Sequence, residues 1–434
     1  MHLKSTCDIL NVRASEVLDS RGNPTIKVVI KTKSACTSSI VPSGASTGIH
    51  EALELRDNDK SRYSGRGVLQ AVKNVNKIIS KKIIGHDCRE QAEIDETLIG
   101  IDGTENKSKL GANSILGVSM AACKAGALCS DKKLYAHISE LSKISTGAPK
   151  KFILPIPQMN LINSGRHAGV DNDIQEHMIL PVQFKNFSEA LAAGVEVYHC
   201  LKGILKKKYG ARAILLGDEG GFAPPIGSVG ERLEILLAAI SESGYDGKFK
   251  LALDCAASEF YDEKNNEYKI LDKRFKQGDL VEFYRQLIES FPIASIEDGF
   301  AQDDWIGWKL LNEKLGKKIQ IVGDDLLVTN IRRINKALDE KSCNSLLLKV
   351  NQIGTVTEAI KAAKISLKNK WKVVVSHRSG ETEDSFIADL CVGIGTGQSK
   401  FGAPARSERT AKYNRLLAID EELGDKSYYS KVVS

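Results

Sequence analysis

The sequence predicts an α/β protein with a β/α barrel in its C-terminal part and an α+β domain in its N-terminal part. The length of 434 residues is too great for one average domain. Residues 8 to about 41 have strand patterns and residues 67 to 141 have helical patterns, an order typical of an α+β domain. From Ile153 onward strand and helix patterns alternate, which predicts parallel strands joined by helices.

Segments rich in β-branched residues predict a small antiparallel sheet at the start of the chain. These segments are Ile9–Val12, Thr25–Ile30 and Thr37–Val41, with a turn signal at Asp19–Pro24. Helical periodicity then predicts helices from Gly67 to Ile79, Arg89 to Ile99, Asn113 to Leu128 and Leu134 to Leu141. Because Ser145–Pro149 is the best linker candidate, we predict domains over residues 1–145 and 146–434.

Four short apolar segments in the C-terminal part end in a residue that can bind a metal or move a proton. The residues at these ends are Asp254, Glu297, Asp324 and Lys349. Such segments are typical of buried parallel strands, and eight strand–helix units close into a barrel with its catalytic groups at the strand C-termini. A single acid after a strand is typical of a helix N-cap. Three acids in register, followed by a lysine, favour a metal and proton-transfer site.

The composition favours a soluble intracellular protein. The formal charge is +6, and the densest basic run, Lys206–Lys208, continues a helical pattern typical of a solvated helix face. The nine cysteines form no C-x-x-C pair and no zinc-binding spacing, as expected of reduced cytosolic thiols. No apolar run approaches the roughly 18 residues that span a bilayer, and residues 1–7 contain no apolar signal segment. We therefore expect a cytoplasmic protein with no nucleic-acid or membrane partner.

The segment Ser43–Gly48 consists of small, polar and flexible residues between the sheet and the first helices. It fits a surface turn and, equally well, a lid that closes over a phosphate or metal with backbone groups and hydroxyls. It is not a P-loop, because no Gly-Lys-Ser/Thr follows it.

Long motifs occur at widely separated positions of the chain. They are Asp19–Pro24, Val41–Gly48, Gly217–Pro224, Leu347–Gly354 and Ser376–Asp384. Together they resemble the motifs of the enolase family, the phosphopyruvate hydratases, and the resemblance extends from about residue 9 to about residue 424. It implies an N-terminal cap on an eight-stranded barrel whose early strands break the regular alternation. It also implies a glycolytic lyase that interconverts 2-phosphoglycerate and phosphoenolpyruvate with magnesium.

The resemblance assigns the strand-end acids to magnesium and the lysine to proton transfer. Asp254, Glu297 and Asp324 would hold the first ion, and a second would arrive with the substrate and be held partly by Ser46. The proton next to a carboxylate is very weakly acidic, so only concentrated positive charge makes its removal feasible. Lys349 would be the base, the usual pairing of this superfamily, and two nearby dications are expected to lower its pKa.

The leaving hydroxide needs a proton, and Glu219 matches the family's general acid, assisted by Glu176. His377 matches a catalytic position near the phosphate. The substrate-binding residues that the resemblance implies are His167, Gln175, Arg378, Ser379 and Lys400. Taken alone, a histidine after a buried strand is more often structural, and the Glu219 segment fits a tight glycine turn.

Two groups of residues depart from the family pattern. Phe401, His177 and Arg166 lie beside predicted site residues, and we expect at most a modest change in substrate affinity from them. The other group concerns the homodimer expected of the family, in which arginine–glutamate pairs join the subunits.

Ser15 stands where an arginine that faces Glu408 is usual, while Lys27 and Ala418 replace both members of a second pair. Because pairs desolvated at an interface can matter more than exposed ones, we expect a weakened dimer, or one insensitive to salt.

Two other functions fit part of the sequence. A different member of the superfamily would share the strand-end acids but act on acids without a phosphate, and the segments Ser43–Gly48 and Ser376–Glu381 argue against it. A binding protein that kept only the fold would be free to lose its base and acid. The chain keeps Lys349 and Glu219.

Overall fold

The described N-terminal part of the chain is a three-stranded antiparallel sheet covered by helices. The computed structural model describes residues 5–44, 48–143, 151–165, 169 and 171–433. The strands are β1 (Asn11–Leu18), β2 (Pro24–Lys31) and β3 (Cys36–Ile40), adjacent in that order. Alternate residues in the first half of β1 are buried, as expected of a sheet with one face on the core. The predicted antiparallel sheet is confirmed.

Helices follow the sheet close to their predicted positions. They are α1 (Leu69–Asn74), α2 (Ser80–Ile83), α3 (Gln91–Asp102), α4 (Ala112–Cys129) and α5 (Leu134–Ser142). A π-helical turn over Val75–Ile79 joins α1 to α2, so helical structure continues past the predicted end at Ile79. Such turns insert an extra residue into the helix and are not visible in hydrophobic periodicity.

Helix α4 is the core helix of the N-terminal part. A Cβ at Gly117 would lie 2.6 Å from a methyl group of Val28, so glycine permits the close approach of α4 to β2. The hydroxyl of Ser39 donates to the Gly117 carbonyl at 2.5 Å. By length and composition α4 could cross a membrane, which corrects the expectation that no run approaches that length. However, 83% of this 18-residue window is buried inside the structure, as in the core helix of a globular protein.

The C-terminal part contains a closed eight-stranded barrel, further short strands, and helices outside the barrel. Its strands are β4 (Phe152–Leu154), β5 (Ile156–Asn163), β6 (Glu176–Pro181), β7 (Phe249–Asp254), β8 (Tyr261–Asp262), β9 (Glu267–Ile270), β10 (Lys273–Phe275), β11 (Ile293–Glu297), β12 (Gln320–Gly323), β13 (Ser345–Leu348), β14 (Lys372–Ser376), β15 (Gln398–Lys400) and β16 (Ser427–Tyr429). Its helices are α6 (Phe187–Tyr209), α7 (Val229–Glu242), α8 (Gln277–Ser290), α9 (Trp305–Leu315), α10 (Ile331–Glu340), α11 (Val350–Ile353), α12 (Val356–Lys368), α13 (Phe386–Ile394) and α14 (Ser407–Leu423).

The barrel strands are adjacent in the order β11-β12-β13-β14-β15-β5-β6-β7. Strand β6 is antiparallel to both β5 and β7, whereas the other neighbours are parallel. The predicted eight-stranded barrel, with early strands that break the regular alternation, is confirmed.

The strand register places the predicted chemical groups at one end of the barrel. Asp254 and Glu297 are the last residues of β7 and β11 and lie side by side in register. Asp324 and Lys349 directly follow β12 and β13. Because β6 is antiparallel, its first residue, Glu176, lies opposite Asp254. The C-terminal ends of the parallel strands therefore form one acidic face.

The N-terminal part packs against the same end of the barrel. Ser43 and Gly380 exchange backbone hydrogen bonds at 2.8 and 2.9 Å, and Lys124 donates to Asp384 at 2.7 Å. Buried apolar residues of both parts form one continuous core. The predicted linker Ser145–Pro149 lies outside the described residues, so the boundary between the two domains remains a prediction.

Candidate active site

A small cavity of about 30 Å³ lies at the C-terminal end of the barrel strands. The predicted site residues that line it are Gln175, Glu176, Glu219, Asp254, Asp324, Lys349, His377, Arg378, Ser379 and Lys400. Glu297 contacts Lys400. Ser46 and His167, which were also predicted to act here, lie outside the described residues. The barrel therefore gathers into one cavity residues that are far apart in the sequence.

Buried acids surround Lys400. Its amine donates to Asp254 Oδ2 at 2.7 Å and to both Glu297 oxygens at 2.9 Å, and it lies 3.3 Å from Glu176 Oε2. Burial raises the pKa of Glu176 and Glu297 well above the usual range, and neighbouring acids raise it further. Burial would lower the pKa of Lys400, but the surrounding carboxylates raise it well above its usual value. Lys400 is therefore a permanent cation here.

Lys349 lies at the edge of this acidic cluster and is paired with Asp324. Its amine donates to Asp324 Oδ2 at 2.5 Å, and Gln352 donates to the other oxygen at 2.8 Å. Burial would lower the pKa of Lys349 and raise that of Asp324, but their opposite charges outweigh burial, so the first is raised and the second lowered. The sequence-based expectation of a lowered pKa for Lys349 assumed two nearby dications. The Asp324 carboxylate has the opposite effect and raises the pKa of this lysine.

The tightest cluster of three acids among the described residues is Asp298, Asp324 and Asp325, whose oxygens lie within 4.8 Å of one another. The Asp298 carboxylate accepts the backbone N–H groups of Asp324 and Asp325, both at 2.8 Å. Asp298 therefore shapes the end of β12. By contrast, the oxygens of Asp254, Glu297 and Asp324 contact lysine amines. Hard carboxylate oxygens suit Mg²⁺, and a cation can compete with these amines, so the predicted trio fits the metal.

Asn160 and His377 lie against Glu219 in the cavity. Asn160 Nδ2 donates to Glu219 Oε2 at 3.2 Å, and His377 Nε2 lies 3.3 Å from the same oxygen. Arg409 Nη1 lies 2.6 Å from His377 Nδ1 and can only donate, so Nδ1 accepts and Nε2 carries the hydrogen that faces Glu219. Burial lowers the pKa of His377 to about 3, and Arg409 contributes to the lowering. His377 is therefore neutral and faces Glu219 from 3.3 Å.

The Arg378 guanidinium forms a fork with a residue of the N-terminal part. Its two terminal nitrogens donate to the Glu51 carboxylate at 3.0 and 3.1 Å, and it also donates to Asn351 Oδ1 at 3.0 Å. Glu51 follows the predicted lid segment Ser43–Gly48, and the Gly48 amide donates to it at 3.1 Å. An incoming phosphate would compete with Glu51 for the same fork.

Several residues that shape the cavity were not predicted from the sequence. They are Glu51, Asn160, Asp298, Asp325, Gln352 and Arg409. Gln352 lies within the motif Leu347–Gly354, and each of the two acids follows a predicted metal ligand directly, so a search for acid doublets finds them. Arg409 reaches His377 from α14 and belongs to no motif, so only the tertiary fold reveals it.

Two departures from the family pattern can be located in the structure. Phe401 is fully buried and makes an edge contact with Tyr413 at 6.2 Å between ring centroids, so it belongs to the packing behind the cavity. His177 is fully buried, and its Nε2 lies 3.4 Å from Arg232 Nη1. Arg166 lies outside the described residues.

Comparison with known proteins agrees with this geometry. The family model for the N-terminal domain of enolase matches residues 9–138, and the model for the enolase C-terminal TIM barrel domain matches residues 151–433. The chain is similar to the enolase of Eimeria tenella, with 52% identity over 436 residues that cover 97% of each chain.

Proposed function

The chain belongs to the enolase family, and on that premise we propose that Lys349 is its catalytic base and Glu219 its general acid. As a phosphopyruvate hydratase of glycolysis, it catalyses the reversible, magnesium-dependent dehydration of 2-phosphoglycerate to phosphoenolpyruvate. The observation that best supports the two roles is that both side chains line one cavity together with Asp254, Asp324 and Lys400.

Asp254, Glu297 and Asp324 would hold the first magnesium ion. They offer hard oxygens from three adjacent strand ends, and those oxygens contact lysine amines, so the positions already favour positive charge. A second ion would enter with the substrate, with Ser46 as one of its ligands. When bound, the ions supply the positive charge that makes removal of a proton next to a carboxylate feasible.

Lys349 would take the proton from the carbon next to the substrate carboxylate. Its amine must be neutral to accept a proton, and the contact with Asp324 keeps it charged. Burial acts in the other direction and lowers the pKa of this lysine. A metal held by Asp324 would supply positive charge beside Lys349, and together with burial this charge would favour the neutral amine that a base requires.

Glu219 would donate a proton to the departing hydroxyl group. A general acid must carry a proton near neutral pH, and a buried pair of like charges favours that state. Burial raises the pKa of Glu176, and the negative charge of nearby Glu219 raises it further. Asn160 donates a hydrogen bond to the Glu219 carboxyl group, and His377 lies beside the same oxygen.

The remaining groups would bind the two anionic ends of the substrate. Arg378 and Ser379, with His167, would contact the phosphate, since an arginine fork matches phosphate oxygens. Lys400 would contact the substrate carboxylate. The Gln175 side-chain oxygen is buried at the cavity and accepts no hydrogen bond from the described residues, so it is placed to accept one from the substrate.

The assembly would be a homodimer with fewer ion pairs than its relatives. Ser15 and Lys27 are opposite each other in the N-terminal sheet. Glu408 accepts from Arg406 of its own chain at 2.9 Å, so an intramolecular partner replaces the usual arginine. Loss of interface pairs weakens association or removes its dependence on salt. The compartment we propose is the cytoplasm.

The proposed roles are tested by the ultraviolet absorbance of the enol phosphate formed from 2-phosphoglycerate. Wild-type turnover should require Mg²⁺ and stop with a chelator. Lys349→Ala and Glu219→Gln should each lower kcat by about 10²–10⁴-fold, as expected for loss of a general base or acid. Exchange of the substrate C2 proton with solvent should survive in Glu219→Gln and disappear in Lys349→Ala, because only the lysine removes that proton.

A matched control is Lys107→Ala. Lys107 is a buried lysine of the N-terminal part, and its amine lies 3.1 Å from the carboxylate of Glu358 on α12. The variant should keep kcat within about twofold of wild type, because the Lys107 amine lies outside the cavity lining. C2-proton exchange that persists in Lys349→Ala would refute the assignment of the base.

A further inference from the structure

A buried charged cluster joins two segments that carry active-site residues. Arg232, in the first turn of α7, donates to Asp173 through both terminal nitrogens, at 3.0 Å for the Nη1 to Oδ1 contact, and both side chains are essentially inaccessible to solvent. The Asp173 carboxylate also accepts the Ser164 hydroxyl at 2.5 Å and the Ile174 amide at 2.8 Å. His177 Nε2 lies 3.4 Å from Arg232 Nη1. Arg232 and Asp173 are not among the residues that line the cavity.

Arg232 holds a second segment with the same guanidinium group. Its Nε and Nη2 donate to the backbone carbonyl of Ile226 at 3.0 and 2.9 Å. Ile226 ends the segment 217–226, which carries the proposed acid Glu219. One planar group with five donors in a fixed fork therefore sets the distance between this segment and the segment 171–177.

The Asp173 side of the cluster leads directly to the cavity. Gln175 and Glu176 follow Asp173 in the chain and line the cavity. The Gln175 carbonyl accepts the Ser164 amide at 2.8 Å, and the Gln175 amide donates to the Asp254 carbonyl at 3.0 Å. A shift of Asp173 would therefore move the start of β6 relative to the floor of the cavity.

A fully buried ion pair often adds no net stability, because well-packed apolar residues in its place give equal or greater stability. Its distinctive property is directional: a carboxylate and a guanidinium fix each other's orientation. His177 belongs to the same cluster, since its imidazole contacts Arg232. Burial and the Arg232 charge lower the pKa of His177, so it is a neutral acceptor.

We propose that Arg232 is a positioning residue of the reaction. Through Asp173 and the Ile226 carbonyl, it fixes the segment that carries Gln175 and Glu176 relative to the segment that carries Glu219. This inference rests on the proposed function, because those three residues have their roles only there. Arg232 does not touch the substrate, and it acts by keeping the groups that do at their working distance.

The first test is hydrogen–deuterium exchange of backbone amides in peptides covering residues 171–177 and 217–226. Arg232→Met should increase exchange in both peptides, because it removes donors to Asp173 and to Ile226. Asp173→Asn should increase exchange in 171–177 only, since the Ile226 contact remains. Arg415→Met is the matched control. Arg415, on α14, donates to Asp389 of α13 at 2.7 Å, and its removal should leave exchange in both peptides unchanged.

The second test compares kcat, KM and magnesium activation at a temperature where each variant is folded. Arg232→Met should lower kcat about 10–100-fold, the range expected from misplacement of reacting groups by about an ångström. The magnesium concentration for half activation should change less than about twofold, because the proposed ligands lie on other strands. Arg232→Lys should recover part of the lost kcat, since an amine can still contact one of the two partners.

Three results with a folded Arg232→Met protein would overturn the proposal. They are unchanged exchange in both peptides, exchange altered in one peptide only, and a kcat equal to that of Arg415→Met. If Arg232→Met does not fold, Arg232→Lys undergoes the same two tests. Exchange should then increase in at least one of the two peptides and kcat should fall, and unchanged exchange in both peptides would overturn the proposal. A wild-type protein without turnover of 2-phosphoglycerate would refute the proposed function, whereas the exchange measurements would still decide whether Arg232 joins the two segments.

Discussion

The barrel interior has two polar layers, and strand β15 contributes one residue to each. At its start, Gln398 Oε1 accepts from Gln158 at 3.1 Å and from Gln320 at 3.0 Å, while its amide nitrogen donates to Gln320 at 2.7 Å. At its end, two residues further on, Lys400 is surrounded by carboxylates. The lower layer is a closed network of neutral amides, and the upper layer consists of charges.

Three neighbouring barrel strands also carry a small apolar cluster, whereas the two polar layers differ in charge. Val322, Leu347 and Val374 are buried together in a small cluster inside the barrel. In the lower layer each glutamine side chain finds a partner in another, so nothing else is required. In the upper layer the carboxylates outnumber the lysine amines among the residues that line the cavity. We therefore expect the lower layer to support the fold and the upper layer to take up positive charge from outside the protein.

The largest expected effect comes from removal of the cation in the upper layer. Lys400→Met leaves Asp254, Glu297 and Glu176 without their shared partner, and breaking such a buried pair costs about 3–5 kcal/mol of unfolding free energy. Added Mg²⁺ should restore part of this loss, because a divalent cation can replace the amine between the acids. Urea unfolding in EDTA and in Mg²⁺ measures both quantities, and a loss that is independent of Mg²⁺ would contradict the role assigned to the layer.

A smaller effect is expected from the matched change on the same strand. Gln398→Leu removes one hydrogen-bond partner from Gln158 and two from Gln320. Because the buried leucine offsets part of this loss, we expect a total cost of about 1–3 kcal/mol. The loss should be the same in EDTA and in Mg²⁺, and kcat should remain within about twofold of wild type when assayed below the melting temperature. A large fall in kcat with the fold intact would show that the two layers are coupled.

The sequence predicted the barrel well where each strand ended in a distinctive residue. Apolar runs before Asp254, Glu297, Asp324 and Lys349 marked four strands, because parallel strands buried on both faces need apolar residues throughout. The resemblance implied only that early strands break the regular alternation. The antiparallel direction of β6 was not predicted, since its residues are buried on both faces like those of the parallel strands. Strand direction depends on the connections between strands, and local hydrophobic periodicity does not predict it.

The site was predictable to the extent that its residues lie in motifs. The acids, Lys349 and the segment around Arg378 were found in this way, and the fold brings them into one cavity. Glu51 and Arg409 were missed, because their partners are 327 and 32 residues away in sequence and no local pattern connects them. The Arg232–Asp173 pair was missed for the same reason, although His177 was noticed as a departure.

The smallest expected effect concerns how the two layers respond to pH. Burial lowers the pKa of His377 to about 3 from an ordinary value of 6.5, so between these values the unfolded chain binds a proton that the folded protein excludes. Stability is therefore fully present above pH 6.5 and falls as the pH decreases, by at most about 1.4 kcal/mol per pH unit for this one group. His377→Gln should remove that slope in urea unfolding between pH 7.5 and 5, whereas Gln398→Leu should lower the whole curve and keep its shape. Equal slopes in His377→Gln and wild type would show that His377 is not the proton-excluding group of the upper layer.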